Sequence, residues 1–222
     1  MNKIIVGAFS SALLLSGAAY AAAPSLMGAP ASQDRSGVYM GIQLGYANLN
    51  YDKSWVKKEM KLPDGTEPNE IGGITDSGFA GRAYLGYGFN QYFGAEVGYV
   101  YLPQVKIKDV KYSSVDTFDD TKFNQSIVDL FVKGTYPFDN GFSVYGKAGA
   151  GYVHRGNMTT KYSGASTKLK GSDNKTLPAL GVGASYNFTK QFYADVAYTR
   201  YFKSGDLQAI DLIVAGVGYQ FC

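Results

Sequence analysis

Ala209-Ile210-Asp211-Leu212-Ile213-Val214-Ala215-Gly216-Val217-Gly218-Tyr219-Gln220-Phe221 is the stretch whose reading decides the fold. With a period of two, Ala209, Asp211, Ile213, Ala215, Val217, Tyr219 and Phe221 share one face, and the six residues between them share the other. That alternation is the signature of a β-strand. From Ile213 onward the first face is unbroken and apolar, while the second shrinks to glycine and amide. In the first half Ile210, Leu212 and Val214 keep the second face apolar as well. A strand with lipid on one side and a small filled lumen on the other carries this pattern.

Seven earlier segments repeat it, at 38–49, 79–89, 92–102, 124–136, 142–154, 176–188 and 191–202. Their outward phase collects residues such as Ile42, Leu44, Leu85, Val97, Leu130, Val182 and Val196. Each segment reaches about the 9–11 residues that a tilted membrane strand requires. Three connections are tight, at 90–91, 137–141 and 189–190, whereas 50–78, 103–123 and 155–175 are long and 203–208 is intermediate. The expected fold is all-β: an eight-stranded antiparallel transmembrane β-barrel, an up-and-down meander with short turns on one side and long loops on the other. Both termini then fall on the short-turn, periplasmic side. Closure leaves no unpaired strand edge facing lipid. A soluble sandwich or lipocalin-like barrel would turn its apolar face inward, the reverse of what these segments do.

The beginning of the chain agrees. Met1-Asn2-Lys3 is a short basic start, an uncharged apolar run follows, and Ala19-Tyr20-Ala21 or Ala21-Ala22-Ala23 offers small residues for cleavage. Residues 1–23 are expected to be a secretory signal peptide. Residues 24–36, rich in Pro, Ala and Ser, are expected to form a flexible periplasmic leader, and 37–222 the outer-membrane barrel. The 222 residues include 28 Gly, 19 Tyr and 13 Phe but one Cys, so no internal disulfide can form and Cys222 is either free or paired between chains. A formal charge of +3 is too small to argue for nucleic-acid binding.

The inward phase carries Arg82, Lys133 and Lys147 against Glu96, Asp129 and Asp195. The two signs cancel. Because buried charge is costly unless paired, one reading is a salt-bridge network that plugs the barrel; the other is a selectivity filter. The little space that eight strands enclose favours the plug. Gly41, Gly45, Gly94, Gly98, Gly149, Gly151, Gly181 and Gly183 are expected to make room for these long side chains.

Gly41-Ile42-Gln43-Leu44-Gly45-Tyr46, Gly86-Tyr87-Gly88-Phe89-Asn90, Gly94-Ala95-Glu96-Val97-Gly98-Tyr99, Leu130-Phe131-Val132-Lys133-Gly134 and the Tyr219-Gln220-Phe221 close carry a resemblance. The chain resembles the small eight-stranded outer-membrane proteins: the OmpA transmembrane domain, OmpX and Ail, and the opacity-protein group, barrels often grouped as porin-like. The resemblance covers about residues 38–221. It implies an outer-membrane location, contact with outer-membrane lipid and lipopolysaccharide, and recognition of Tyr219 and Phe221 by the barrel assembly machinery. Cys222 departs from it by following the closing aromatic. No peptidoglycan-binding domain is expected beyond Phe221, so the anchoring role of full-length OmpA is not implied.

Catalysis is not expected. Lipid A deacylases of this size use a His-x-Ser pair, but the single histidine reads His154-Arg155-Gly156. Palmitoyltransferases of the outer membrane join a His to an Asp-Ser pair; Asp76-Ser77 is present without a histidine in the leader or first loop to activate it. No cofactor or metal is expected, since Asp119-Asp120 alone is too little for calcium. Function then falls to the outer loops. Loop 155–175 holds Lys161, Lys168 and Lys170 among many hydroxyls, which suits lipopolysaccharide phosphates or an acidic host surface. An ordinary solvated loop would look similar. Trp55 with Tyr51 is the leading pair for a protein contact, unless both belong to an aromatic belt. Two classes of function remain: a plugged barrel that displays loops for envelope integrity or adhesion to a host surface, and a narrow porin-like channel for ions or small solutes.

Overall fold

The computed structural model describes residues 36–51, 70–112, 115–156, 158–162, 165–169, 174–205 and 207–221. The segment expected to be a signal peptide, the expected leader (except Ser36), Trp55, Lys170 and Cys222 lie outside them. Thirteen strands follow in order: β1 Gly37–Asn48, β2 Glu70–Thr75, β3 Ser77–Gly88, β4 Phe93–Tyr101, β5 Val105–Tyr112, β6 Val115–Phe123 and β7 Gln125–Pro137. After these come β8 Phe142–Arg155, β9 Met158–Tyr162, β10 Ala165–Leu169, β11 Lys175–Asn187, β12 Phe192–Tyr201 and β13 Ile210–Gln220.

Eight of them close an antiparallel barrel in the order β1-β13-β12-β11-β8-β7-β4-β3. The last strand is the keystone. Ile42 of β1 faces Val217 of β13 on one side and Ala83 of β3 on the other, so β13 joins the end of the chain to its beginning. The outer wall is apolar: Ile42, Leu130, Val132 and Val182 are each about three-fifths exposed (62%, 64%, 62% and 58%). Such a contiguous apolar surface is intelligible only with lipid as its solvent.

The short-turn rim is built from one device used three times. Phe89/Phe93, Phe138/Phe142 and Phe188/Phe192 bracket the turns, and each first Phe N–H donates to the second Phe carbonyl. Asn90 Oδ1 accepts from the Tyr92 and Phe93 amides at 2.8 and 2.9 Å, Asn140 Oδ1 from Phe142 at 3.1 Å, and Thr189 Oγ1 from Phe192 at 2.8 Å. Side-chain acceptors thus satisfy turn amides that have no ladder partner. Five of the six bracketing Phe rings (Phe188 is half-buried), with Tyr87, Tyr136 and Phe221, form an exposed aromatic girdle at this rim.

The long connections depart from the sequence reading. Residues assigned there to loops form a second, five-stranded sheet in the order β10-β9-β6-β5-β2. Its order repeats that of the barrel strands to which these elements connect, β11-β8-β7-β4-β3, so this side of the wall continues past the belt as a sheet. Beyond the membrane the outward face no longer has to be apolar. Lys106 can therefore alternate with the buried Val105 and Ile107 and still belong to a strand.

Candidate functional site

The inward face of the barrel has two layers. Toward the short-turn half, ion pairs run in a chain. Arg82 donates from Nε to Asp129 Oδ2 at 3.0 Å and from Nη2 to Asp129 Oδ1 at 2.8 Å, a bidentate pair. Its Nη1 and Nη2 also reach Glu96 Oε2 at 3.4 Å, and Lys133 Nζ donates to Glu96 Oε1 at 2.9 Å. Tyrosines complete the acceptors: Tyr201 Oη donates to Asp129 Oδ2 at 2.8 Å and Tyr39 Oη to Glu96 Oε1 at 3.1 Å. Four of the six residues expected in the network are thus joined directly.

The other two attach differently. Asp195 accepts from the neutral donors Gln43 Nε2 and Tyr145 Oη, the latter at 3.0 Å. Lys147 sets its ammonium over the Phe131 ring at 4.6 Å. Gln43 links Asp195 to the chain, because its Oε1 accepts from Arg82 Nη1 at 3.5 Å. All six are buried, with Asp129 fully so. Tyr201→Phe removes one donor to Asp129 while keeping the ring. We expect it to lower unfolding free energy by about 1–3 kcal/mol, read as the urea midpoint of the heat-modifiable band. An unchanged midpoint would mean that Arg82 alone satisfies that carboxylate.

The inward glycines make room for tyrosine more than for charge. Across the ladder Gly41 faces Tyr84, Gly86 faces Tyr39, Gly183 faces Tyr145 and Gly218 faces Tyr193, four direct register pairs. A Cβ on any of them would stand 2.1–2.5 Å from the partner ring. Among the glycines named in the sequence reading, only Gly98 and Gly181 sit against charged side chains, those of Arg82 and Asp129 and of Lys147. The flat aromatic covers the bare strand and its hydroxyl extends the polar network, as in the Tyr84–Tyr193 hydroxyl pair at 3.0 Å.

Above the charges the lumen is apolar. Val100, Ile127, Val153, Leu177, Leu212 and Val214 are at most 1% exposed and pack with Leu49, Leu102, Val105, Ile107 and Leu207 from the rim. The sequence reading missed this layer. Its signal was the apolar inward residues Ile210, Leu212 and Val214, where both strand faces are apolar and alternation loses its contrast.

Tyr51, expected on the surface, is turned inward. Asn50 takes a φ of 51°, and the Tyr51 ring lies 8% exposed, its hydroxyl accepting from Gln125 Nε2 at 2.7 Å and its amide donating to Asp76 Oδ2 at 2.7 Å. Burial pushes both the Tyr51 phenol and the Asp76 carboxyl above their ordinary values. Asp76 is thereby used in holding the rim. His154 is exposed on the outer wall, its Nδ1 2.9 Å from Asn174 Oδ1. Lys161 lies on β9 close to the β9–β10 connection, and Lys168 lies on β10 opposite Thr159, nearer the barrel. Tyr219 and Phe221 stack edge to face at 5.0 Å on the girdle, with Phe192 against Tyr219. Among the described residues no cluster of three or more metal-ligating side chains forms.

An apolar outer wall, an aromatic girdle and a polar inner layer on a closed eight-stranded barrel define a membrane-spanning β-barrel. The chain belongs to the outer membrane β-barrel family: the profile described as "Outer membrane protein beta-barrel domain" matches residues 9–221. An uncharacterized protein of Coxiella burnetii (strain RSA 493 / Nine Mile phase I) is 26% identical over 249 residues, covering 100% of both chains. Outer membrane protein A of Yersinia pseudotuberculosis serotype I is 28% identical over 145 residues, 63% of this chain and 39% of that one. The chain spans less than half the length of the outer membrane protein A relatives it matches. Among solved structures, the outer membrane protein OprG of Pseudomonas aeruginosa is similar in fold, with a TM-score of 0.56 at 18% identity, covering 84% of this chain and 97% of that one.

Proposed function

We propose that the protein is a plugged outer-membrane barrel whose working part is the sheet and loops it holds above the membrane, for envelope integrity or adhesion to a host surface. The observation that carries this reading is the doubly filled lumen: a neutralised ion-pair layer beneath an apolar layer, with Asp129 and Leu212 each 0% exposed. A conducting pore would need inward polar groups to stay wet. In this reading the short-turn rim, with both chain ends, faces the periplasm, and Tyr219 and Phe221 present the closing aromatics to the assembly machinery. The five-stranded sheet faces outward, and the protein has no enzymatic role, in keeping with the outer-membrane protein names of its named relatives.

The lysines of the 155–175 connection, Lys161 on β9, Lys168 on β10 and Lys170 just after it in sequence, suit an acidic partner, whether lipopolysaccharide phosphate or an anionic host glycan. Trp55 precedes β2 and remains the candidate for a protein contact. The test is adherence of cells displaying the full chain to an immobilised polyanion, beside a Lys161→Gln, Lys168→Gln, Lys170→Gln variant. Adherence should fall about tenfold, as for the loss of one to two charge-assisted contacts, and should weaken with salt. Equal adherence by a folded variant would remove these lysines from the contact.

A further inference from the structure

The outer wall of the barrel carries a groove of about 570 Å³ across β7, β8, β11 and β12. Two adjacent register rows make it. Tyr198, Val182, Gly146 and Gly134 face one another in succession, and Arg200, Leu180, Ala148 and Val132 do so in the next row. All lie on the outward phase. Gly134 and Gly146 are the floor: a Cβ at Gly134 would meet nothing within 4 Å, and one at Gly146 only the Gly181 carbonyl oxygen, at 4.0 Å. Glycine here relieves no clash. It leaves a hollow beside outward residues such as Val132, Val182, Leu180 and Tyr198.

The groove is diagonal. Arg200 is one residue from the long-loop end of β12, while Gly134 is three residues from the short-turn end of β7. An apolar trough therefore descends into the membrane from a cation at its rim. Asp211 fixes that cation by accepting from Arg200 Nη1 at 3.0 and 3.2 Å, and is itself held by Tyr198 Oη at 2.6 Å and Asn50 Nδ2 at 2.9 Å. Tyr198 also hydrogen-bonds the guanidinium, and the Arg200 side chain is still 44% exposed. Exposed Lys203 follows it just past Phe202, which lines the groove.

From this geometry we infer that the groove is a lipid-binding site for lipid A, with acyl chains along Gly134, Gly146, Ala148 and Val182 and a glucosamine phosphate on Arg200. Charge and shape carry the choice. A positioned, half-exposed guanidinium with exposed Lys203 close by in sequence matches a phosphate group. Three inter-strand spacings give a trough about 14 Å across, wide for a single chain and suited to a multiply acylated lipid. The inference rests on the orientation proposed above, which puts Arg200 in the outer leaflet.

The test uses the refolded full chain in micelles doped with lipid A or with phosphatidylglycerol, and counts retained lipid by native mass spectrometry. Wild type should retain lipid A in preference to phosphatidylglycerol. Arg200→Gln and the Gly134→Leu, Gly146→Leu double variant should each lower retention about tenfold with unchanged heat-modifiable mobility. Equal retention by wild type and Arg200→Gln, retention of phosphatidylglycerol as strong as that of lipid A, or no retention by wild type would overturn the inference. If the leucine variant does not fold, Arg200→Gln decides alone. Channel activity would overturn the plugged reading without touching this result, because the groove lies outside the lumen.

Discussion

Arg82→Ala should destabilise the barrel by about 3–5 kcal/mol, the cost of breaking a buried ion pair by removing one partner. Arg82 is shared by two carboxylates. Without it Asp129, fully buried, keeps only the Tyr201 hydroxyl, and Glu96 keeps Lys133 and Tyr39. No water-filled pore is available to hydrate the orphaned charge, because Val100, Ile127 and Leu212 seal the lumen above it. A total stability of about 5–15 kcal/mol leaves little margin for such a loss. The measurement is the urea midpoint for loss of heat-modifiable mobility. Arg82→Met combined with Asp129→Leu should recover much of the deficit, since replacing a buried pair by apolar residues is often nearly neutral. A drop below about 1 kcal/mol for Arg82→Ala, the range of an exposed pair, would mean that water reaches the network.

The second large effect is steric and comes from one added methyl group. In Gly45→Ala the new Cβ would lie 1.9 Å from the Ile213 carbonyl oxygen, and in Gly149→Ala 1.9 Å from that of Leu130. Both obstacles are backbone of a neighbouring strand, which cannot rotate away as a side chain would. Relief requires the ladder to part at β1/β13 or at β7/β8. We expect each variant to lose about 1–3 kcal/mol or more and to refold in lower yield, most severely at Gly45 because that seam closes the barrel. Gly134→Ala is the matched control, with open space around the added methyl, and should be neutral within about 0.5 kcal/mol. If all three variants behaved alike, strand approach at these glycines would not govern closure.

The barrel strands were legible because lipid imposes one rule on all eight of them. Every second residue from Met40 to Leu44, or from Val128 to Val132, must be apolar, and the structure places all of these outward. Where the rule lapses, reading failed. Past the belt Lys106 alternates with Val105 and Ile107 in a strand whose composition resembles a charged loop. Inside the barrel, Leu177 and Leu212 sit on strands whose two faces are both apolar near the long-loop rim, so periodicity gave no sign of a sealed upper lumen. Register was also invisible. The residues carrying opposite charge could be read from phase, but the Gly41–Tyr84 and Gly183–Tyr145 pairings require knowing which residue faces which across the ladder. Tyr51 failed for a local reason: the left-handed turn at Asn50 reverses the direction in which strand continuation would have sent it. The three short turns, by contrast, were read at 90–91, 137–141 and 189–190, and the Phe-x-x-x-Phe bracket around each of them is a further signal in the sequence for the same places.

The central claim is that the lumen is closed, and single-channel recording on refolded protein in a planar bilayer tests it most directly, with Lys147→Ala recorded beside it. Both chains should be silent at a protein density where folded barrels are inserted, since Lys147 lies against Phe131 beneath an apolar seal rather than along an open path. Stable openings whose ion selectivity changes in Lys147→Ala would contradict the account and make the inner charges a filter.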